Sequence, residues 1–145
     1  MKNRAGILIP LIMLIVAPPY AHAEELFGPY RATVIEVVDG DTLRLNVNVW
    51  PKLYEKTLFR VAGVNAPEIH GKISDCEKTA GQAAKTFTSA FVLSATEVII
   101  SGVKLEKYGR ALGHLSVNSQ DLGKALLAAG HARPYNGGRK ELWCE

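Results

Sequence analysis

Residues 33–49 have the sequence TVIEVVDGDTLRLNVNV, in which two strand patterns flank a turn signal. Residues 33–38 are rich in β-branched side chains, and residues 43–49 alternate apolar and polar side chains, as in strands of a half-buried sheet. The Asp-Gly-Asp-Thr sequence at 39–42 is typical of a hairpin turn, since glycine tolerates the positive φ that such turns require. This stretch therefore predicts an antiparallel β-hairpin.

Three more strands are predicted at residues 57–64, 96–101 and 111–117, with a polar loop before the first of them. A helix is predicted to begin at a capping box at 74–77 and to bury a stripe formed by Ala80, Ala83, Ala84, Phe87, Ala90 and Phe91. A second helix is predicted by Leu122, Ala125, Leu126 and Ala129, ending at Gly130. This order of elements suits a small, closed, five-stranded barrel with packed helices, a mainly β member of the α+β class.

The first 23 residues have the organisation of a secretory signal peptide. Lys2 and Arg4 precede an apolar run at 5–17, and the small-x-small sequence Ala-His-Ala ends at residue 23. A retained membrane anchor is the alternative, but the run is shorter than the ~20 residues that span a bilayer. We therefore expect cleavage before Glu24, leaving one domain at 24–145 in the periplasm or medium with no stable membrane association.

Composition excludes a disordered or collagen-like chain, because 48% of the 145 residues are hydrophobic and 21% are charged. The pI near 8.9 suggests a polyanionic partner. However, removal of the leader leaves 15 basic and 14 acidic residues, a net charge of +1. Phosphate recognition is therefore expected to depend on a few placed cations instead of bulk charge.

Both cysteines, Cys76 and Cys144, lie in the mature part of the chain. Export to an oxidising compartment favours a disulfide between them, which would tie the C-terminal tail to the middle of the chain. Two free thiols are the alternative. A zinc site is disfavoured, since two cysteines without a nearby histidine pair do not provide four ligands.

Four segments together resemble the staphylococcal nuclease (thermonuclease) family. They are VVDGDTLRL at 37–45, FRVAGVNAPE at 59–68, EKYGRAL at 106–112 and DLGKALLAAG at 121–130. Each is weak alone, but they occur in the same order as the predicted strands and helices. The resemblance implies an OB-fold barrel and a calcium-dependent nuclease that cleaves DNA and RNA with limited sequence specificity, releasing the 5′-oxygen.

The resemblance also implies the roles of individual residues. Arg60 and Arg110 match the phosphate-binding arginines, Glu68 matches the catalytic glutamate, and Asp41 matches a calcium ligand. Two guanidinium groups and a hard cation suit a phosphate that gains negative charge during water attack. Tyr108, Lys107 and Tyr135 are the expected substrate contacts, and a basic rim is suggested by Lys104, Lys107, Arg133, Arg139 and Lys140.

Asn65 departs from the family pattern, which usually has aspartate at this position. Because calcium affinity falls as ligand charge is removed, we expect a weaker Ca²⁺ site formed by Asp41, Asn65, the carbonyl of Ala66 and water. The leading hypothesis is a monomeric exported endonuclease. The alternative is a weakly active or non-catalytic OB-fold module that binds nucleic acid, in which Asn65 has removed turnover.

Overall fold

The structure, a computed structural model, describes residues 26–106 and 109–144. The predicted signal peptide at 1–23 lies outside these residues, as do Lys107 and Tyr108. Within the described residues the chain forms eight strands and two helices: β1 (Tyr30–Asp39), β2 (Thr42–Trp50), β3 (Leu53–Val61), β4 (Val64–Asn65), α1 (Asp75–Leu93), β5 (Val98–Leu105), β6 (Ala111–Val117), β7 (Gln120–Asp121), α2 (Leu122–Ala128) and β8 (Arg133–Pro134).

The five long strands form a closed barrel. Their order is β3-β2-β1-β5-β6, all antiparallel, and a parallel pairing between β3 and β6 closes the sheet. The short β7 extends β6, whereas β4 and β8 pair with each other outside the barrel. The single domain, the five-stranded barrel and its two helices confirm the predicted OB-fold architecture.

The core lies inside the barrel and under the helices. On β2, Leu43, Leu45 and Val47 are buried and alternate with more exposed residues, as the sequence pattern predicts. Leu122 and Leu126 of α2 are fully buried against the same cluster. The alternation therefore identifies the inner face of β2 correctly.

The strand predicted at 57–64 differs at both ends. It begins earlier, because β3 pairs with β2 from Leu53, opposite Trp50, so no polar loop separates the two strands. It also ends at Val61, after which Gly63 has a φ of 77° and β4 begins at Val64. Residues 53–56, which include the exposed Leu53 and Tyr54, lie on the surface. The strand extends over them through backbone pairing to β2, which the hydropathy pattern does not reveal.

The start of α1 is as predicted, and its buried face is as predicted in part, since Ala84 is buried and Phe87 and Phe91 pack against the core. Ser74 is the N-cap and accepts a hydrogen bond from the backbone N of Glu77 at 3.1 Å. The predicted alanine stripe is wrong in part, since Ala83 and Ala90 are exposed. The buried positions are Gly81, Ala84 and Thr88, because α1 packs closely on the β1–β2 turn and on the loop after β4.

Gly40 is required for a different reason from the one that the sequence suggested. It is not among the residues with positive φ. A Cβ atom at this position would lie 2.7 Å from the Cβ of Ala84 and 2.8 Å from the Cβ of Ala66. Glycine therefore allows the turn to approach α1 and the loop after β4, while its carbonyl accepts a 2.6 Å hydrogen bond from Thr88 Oγ1.

Cys76 and Cys144 form a disulfide with a Cα–Cα distance of 6.2 Å, which confirms the predicted pairing. The bond joins the first turn of α1 to the C-terminal tail. Between residues 26 and 144, leaving aside 107–108, no helix is both long and apolar enough to cross a membrane.

Candidate functional site

A buried ion pair organises one rim of the barrel. Thr42 and Arg60 are paired in register on β2 and β3, which brings Arg60 beside the β1–β2 turn. Its NH1 donates to Asp41 Oδ1 at 3.1 Å, and its NH2 lies 3.0 Å from Oδ2. The two side chains are only 9% and 3% exposed, so this two-pronged contact is shielded from water.

The same carboxylate joins the loop after β4 to the turn. Asp41 Oδ2 accepts a 2.8 Å hydrogen bond from the backbone N of Ala66, and Oδ1 accepts one from Thr42 Oγ1 at 2.9 Å. Arg60 NH2 also donates to Asn65 Oδ1 at 3.0 Å. Three predicted site residues, Asp41, Asn65 and Ala66, are therefore brought together with Arg60 in one hydrogen-bonded network.

Glu68 lies in the loop after β4, and helix α1 packs against the backbone of this loop. Its backbone N donates to Glu77 Oε1 at 3.3 Å, so the first turn of the helix fixes the loop. A Cβ at Gly81 would lie 2.5 Å from the Glu68 carbonyl oxygen, so the helix and the loop are in very close contact. The Glu68 side chain is 37% exposed and accepts a hydrogen bond from Lys140 Nζ at 2.5 Å.

Arg110 also lies at this rim. It directly precedes β6, which pairs in parallel with β3 and places Ala111 opposite Phe59. Its Nε donates to Glu106 Oε2 at 2.6 Å, and its side chain is 35% exposed. Arg60, Glu68 and Arg110 all line one cleft of about 300 Å³, so the three predicted catalytic residues share a single cavity.

Asp39, which the sequence interpretation did not select, lies in this cleft as well. Burial raises the pKa of its carboxyl to about 6, and the nearby negative charge of Asp41 adds to the shift. Asp39 Oδ1 accepts a 3.3 Å hydrogen bond from the backbone N of Asp41. The sequence signal that could have identified Asp39 as a site residue was its position at the end of β1, two residues before Asp41.

Of the predicted substrate contacts, Tyr135 is described and lines the cleft. Its backbone N donates to the carbonyl of Gly63 at 2.9 Å, and its hydroxyl donates to the carbonyl of Gly138 at 2.8 Å. Of the predicted basic rim, Lys140 reaches the cleft, whereas Arg133 instead lies over the ring of Trp143 at 4.4 Å. Tyr135 is therefore well placed to contact a molecule in the cleft.

The side chains of the predicted calcium ligands lie next to Arg60. Asp41 Oδ1 and Asn65 Oδ1 both accept from the guanidinium of Arg60, so the two oxygens converge on one cationic group. Oxygen donors of this kind suit a hard cation, but only one of the two is charged. Across residues 26–106 and 109–144, no three His, Cys, Asp or Glu side chains group as metal ligands. The donor types therefore suit Ca²⁺, while Arg60 occupies the oxygens of Asp41 and Asn65 that would bind it.

Comparison with known sequences gives the family of this chain. The sequence model of the staphylococcal nuclease homologue family matches residues 58–142, which include Arg60, Glu68 and Arg110. An uncharacterized protein of Methanocaldococcus jannaschii is 31% identical over 130 residues, covering 73% of this chain. The chain spans 59% of the length of that relative. The match to the family over more than half of the chain shows that it belongs to the staphylococcal nuclease homologues.

Proposed function

We propose that this protein is a nuclease that hydrolyses phosphodiester bonds of DNA and RNA with limited sequence specificity. The observation that supports this most directly is the meeting of Arg60, Glu68 and Arg110 in one cleft, although they come from three separate segments. Membership of the staphylococcal nuclease homologues supports the same chemistry. Arg60 and Glu68 belong to the segment 59–68, and Arg110 directly precedes β6. Pairing of β3 with β6, which closes the barrel, brings the two segments together.

The cleft has suitable partners for a phosphate. Arg60 uses three N–H donors on Asp41 and Asn65, and a guanidinium has five, so it retains donors for a phosphate oxygen. Arg110 provides a second planar cation in the same cleft. Both would stabilise the charge that develops on the phosphate oxygens as water attacks phosphorus.

Glu68 is the proposed general base. Its half-exposed carboxylate lies in the cleft, where it would orient a water molecule and accept its proton. The hydrogen bond from its backbone to Glu77 and the close packing of Gly81 limit movement of the loop. This preorganisation favours attack geometry, because catalysis by a positioned base depends on small distances.

Calcium is the proposed cofactor, held by Asp41, Asn65, the carbonyl of Ala66 and water. When bound it would add positive charge next to the phosphate. The neutral amide of Asn65 and the competing guanidinium of Arg60 support a low affinity.

Export is part of the proposal. The leader-like sequence at 1–23 and the Cys76–Cys144 disulfide both support an oxidising compartment, either the periplasm or the medium. We propose that the mature domain, residues 24–145, acts there as a monomer.

The test is digestion of plasmid DNA and of RNA by the oxidised protein with Ca²⁺ and then with chelator. Glu68→Gln should lower the cleavage rate by about 10²- to 10⁴-fold, the usual contribution of a general base. Glu55→Gln is the matched control, since it makes the same change at an exposed position of β3 and should leave the rate unchanged. Cleavage by Glu68→Gln at the wild-type rate would refute the role of Glu68.

Absence of any calcium-dependent cleavage would reject the nuclease proposal. Binding of single-stranded oligonucleotide without cleavage would then favour the alternative, a non-catalytic OB-fold module, in which Asn65 has removed turnover. Both measurements use the same oxidised preparation, so the two functions are separated directly.

A further inference from the structure

The C-terminal tail places a lysine on the candidate general base. Lys140 Nζ lies 2.5 Å from Glu68 Oε1, although the two residues are 72 positions apart. Lys140 also lines the cleft that contains Arg60 and Arg110. The contact is therefore within the proposed active site and not at a distant surface.

The tail is fixed on both sides of Lys140. Cys144 is bonded to Cys76 in the first turn of α1, next to Glu77, which binds the backbone of Glu68. On the other side, the hydroxyl of Tyr135 donates to the carbonyl of Gly138. The backbone N of Tyr135 also donates to the carbonyl of Gly63 at 2.9 Å, so both ends of this short segment are anchored, one of them by the disulfide.

Arg133 strengthens the same attachment. Its NH1 donates to the carbonyl of Leu142 at 2.9 Å, and its guanidinium lies 4.4 Å from the ring centroid of Trp143. These contacts hold the residues just before Cys144 against β8. The lysine is thus presented by a tethered strap.

The numbers of positive and negative groups at the cleft bear on the role of Lys140. Six charged side chains line the cleft. Three are cations, Arg60, Arg110 and Lys140, and three are carboxylates, Asp39, Glu68 and Glu106. Asp41 adds a fourth carboxylate beside Arg60. Without Lys140, two cations would face four acidic groups, an arrangement that opposes entry of a phosphodiester.

We propose that Lys140, held in place by the Cys76–Cys144 disulfide, is a substrate-positioning residue that binds a phosphate oxygen while it orients Glu68. An ammonium group has three N–H donors, so one can remain on Glu68 while another contacts the substrate. The ligand class is the phosphodiester backbone of a single-stranded nucleic acid. This inference rests on the proposed nuclease function.

Binding is measured with a short fluorescent single-stranded DNA in chelator, so that no cleavage is needed. Lys140→Gln should raise the dissociation constant about tenfold, and Lys140→Arg should restore part of the loss. Lys56→Gln is the matched control, because it makes the same change at an exposed position of β3 that does not line the cleft, and it should change binding less than twofold. DNA binding by Lys140→Gln with the wild-type affinity would overturn the proposal. Tighter binding by this variant would also overturn it, because it would show that the lysine blocks the cleft.

Calcium binding provides an independent readout. Because Lys140→Gln makes the cleft more negative, calorimetry should show tighter calcium binding in this variant than in the wild type or in Lys56→Gln. In cleavage assays, KM should rise more than kcat falls, since the lost contact is present in the bound substrate. Equal calcium affinities in all three proteins would contradict the charge-balancing role.

The role of the disulfide is tested by the double variant Cys76→Ser/Cys144→Ser, with circular dichroism to verify folding. It should weaken DNA binding as much as Lys140→Gln, and adding Lys140→Gln to it should cause no further loss. Unchanged binding by the folded double variant would overturn the dependence on the disulfide. If Lys140→Gln weakens DNA binding while no protein cleaves DNA, the positioning contact stands and the nuclease function fails.

Discussion

Asp41 is the residue on which the site is built. Its two carboxylate oxygens accept hydrogen bonds from Arg60, Thr42 and the backbone of Ala66, which belong to three different parts of the chain. Loss of this carboxylate would leave a buried guanidinium without its partner, a change that is strongly destabilising. The same contacts explain how Asn65 is accommodated, since its amide oxygen adds a neutral acceptor to Arg60.

Asp39 is expected to make stability dependent on pH. Its pKa is raised to about 6 by burial and by the charge of Asp41, so the folded protein holds this proton more tightly than the unfolded chain. The stability that this group contributes is therefore fully present below pH ~4 and is lost as the pH rises to about 6. Asp39→Asn should remove this penalty and be more stable than the wild type above pH 6 by about 1 kcal/mol, discounted for solvent screening.

Urea denaturation of both proteins between pH 4 and pH 8 measures this difference. The amide oxygen of the variant can still accept the hydrogen bond from Asp41 N, so the turn is expected to persist. Glu55→Gln removes an exposed carboxylate and should show no such divergence over this range. Parallel curves for Asp39→Asn and wild type would contradict the raised pKa.

Through Gly81, the smallest residue type, helix α1 packs against the loop that carries Glu68. A Cβ at Gly81 would lie 2.5 Å from the carbonyl oxygen of Glu68 and 2.8 Å from that of Pro67, and both are backbone atoms that cannot rotate away. Gly→Ala within a helix normally stabilises it by about 1 kcal/mol. Here the clash should outweigh that gain, so Gly81→Ala should destabilise the protein by about 1–3 kcal/mol and lower kcat/KM by about 10²-fold through displacement of Glu68.

Ala83→Gly is the opposite change at an exposed position of the same helix. It should cost about 1 kcal/mol of stability from helix propensity alone and leave kcat/KM unchanged. Thermal denaturation and steady-state kinetics of the two variants separate helix propensity from loop displacement. Full activity in Gly81→Ala would show that the loop can move without affecting Glu68.

Local sequence signals predicted the elements well where packing and pattern agree. The alternation at 111–117 matches β6, and Ser74 caps α1 as its spacing indicates. The buried face of α1 was not predictable in the same way, because alanine suits both an exposed and a buried helix surface. Contact of Gly81 with the Glu68 loop, which decides that face, depends on tertiary structure.

The site residues, like the helices and strands, were predictable where the signal was local in the sequence and not where it depended on contacts between distant segments. Motifs at 39–42 and 59–68 pointed to Asp41, Arg60 and Glu68, and the structure places all three at one rim. The contact of Lys140 with Glu68 gave no such signal, because it depends on the path of the tail and on the disulfide. Burial of Asp39 likewise required the folded molecule.

At the scale of the whole molecule, closure of the barrel assembles the cleft. The parallel pairing of β3 with β6 places Arg60 opposite Leu112, and Arg110, directly before β6, lines the same cleft. This pairing joins segments that are distant in sequence, and its formation requires most of the barrel to be in place. The two cationic groups are therefore expected to meet only in the folded protein.

The Cys76–Cys144 disulfide is the remaining constraint on the whole chain. It closes a loop with a sequence separation of 68, for which chain entropy gives about 4 kcal/mol of stabilisation. The tail itself is largely exposed, with Leu142 at 78%, so its release should remove little of the core. We therefore expect Cys76→Ser/Cys144→Ser to fold and to lose about 2–4 kcal/mol of unfolding free energy, mainly through the greater freedom of its unfolded state.

Urea titrations of the oxidised wild type, the reduced wild type and the double variant measure this loss. The last two should have the same midpoint, and reductant should not change the double variant. The slope of the transition should be steeper without the disulfide, because a less constrained unfolded chain exposes more surface. A lowered midpoint with an unchanged slope would instead place the loss in the folded state, at the contacts of Arg133 with Leu142 and Trp143.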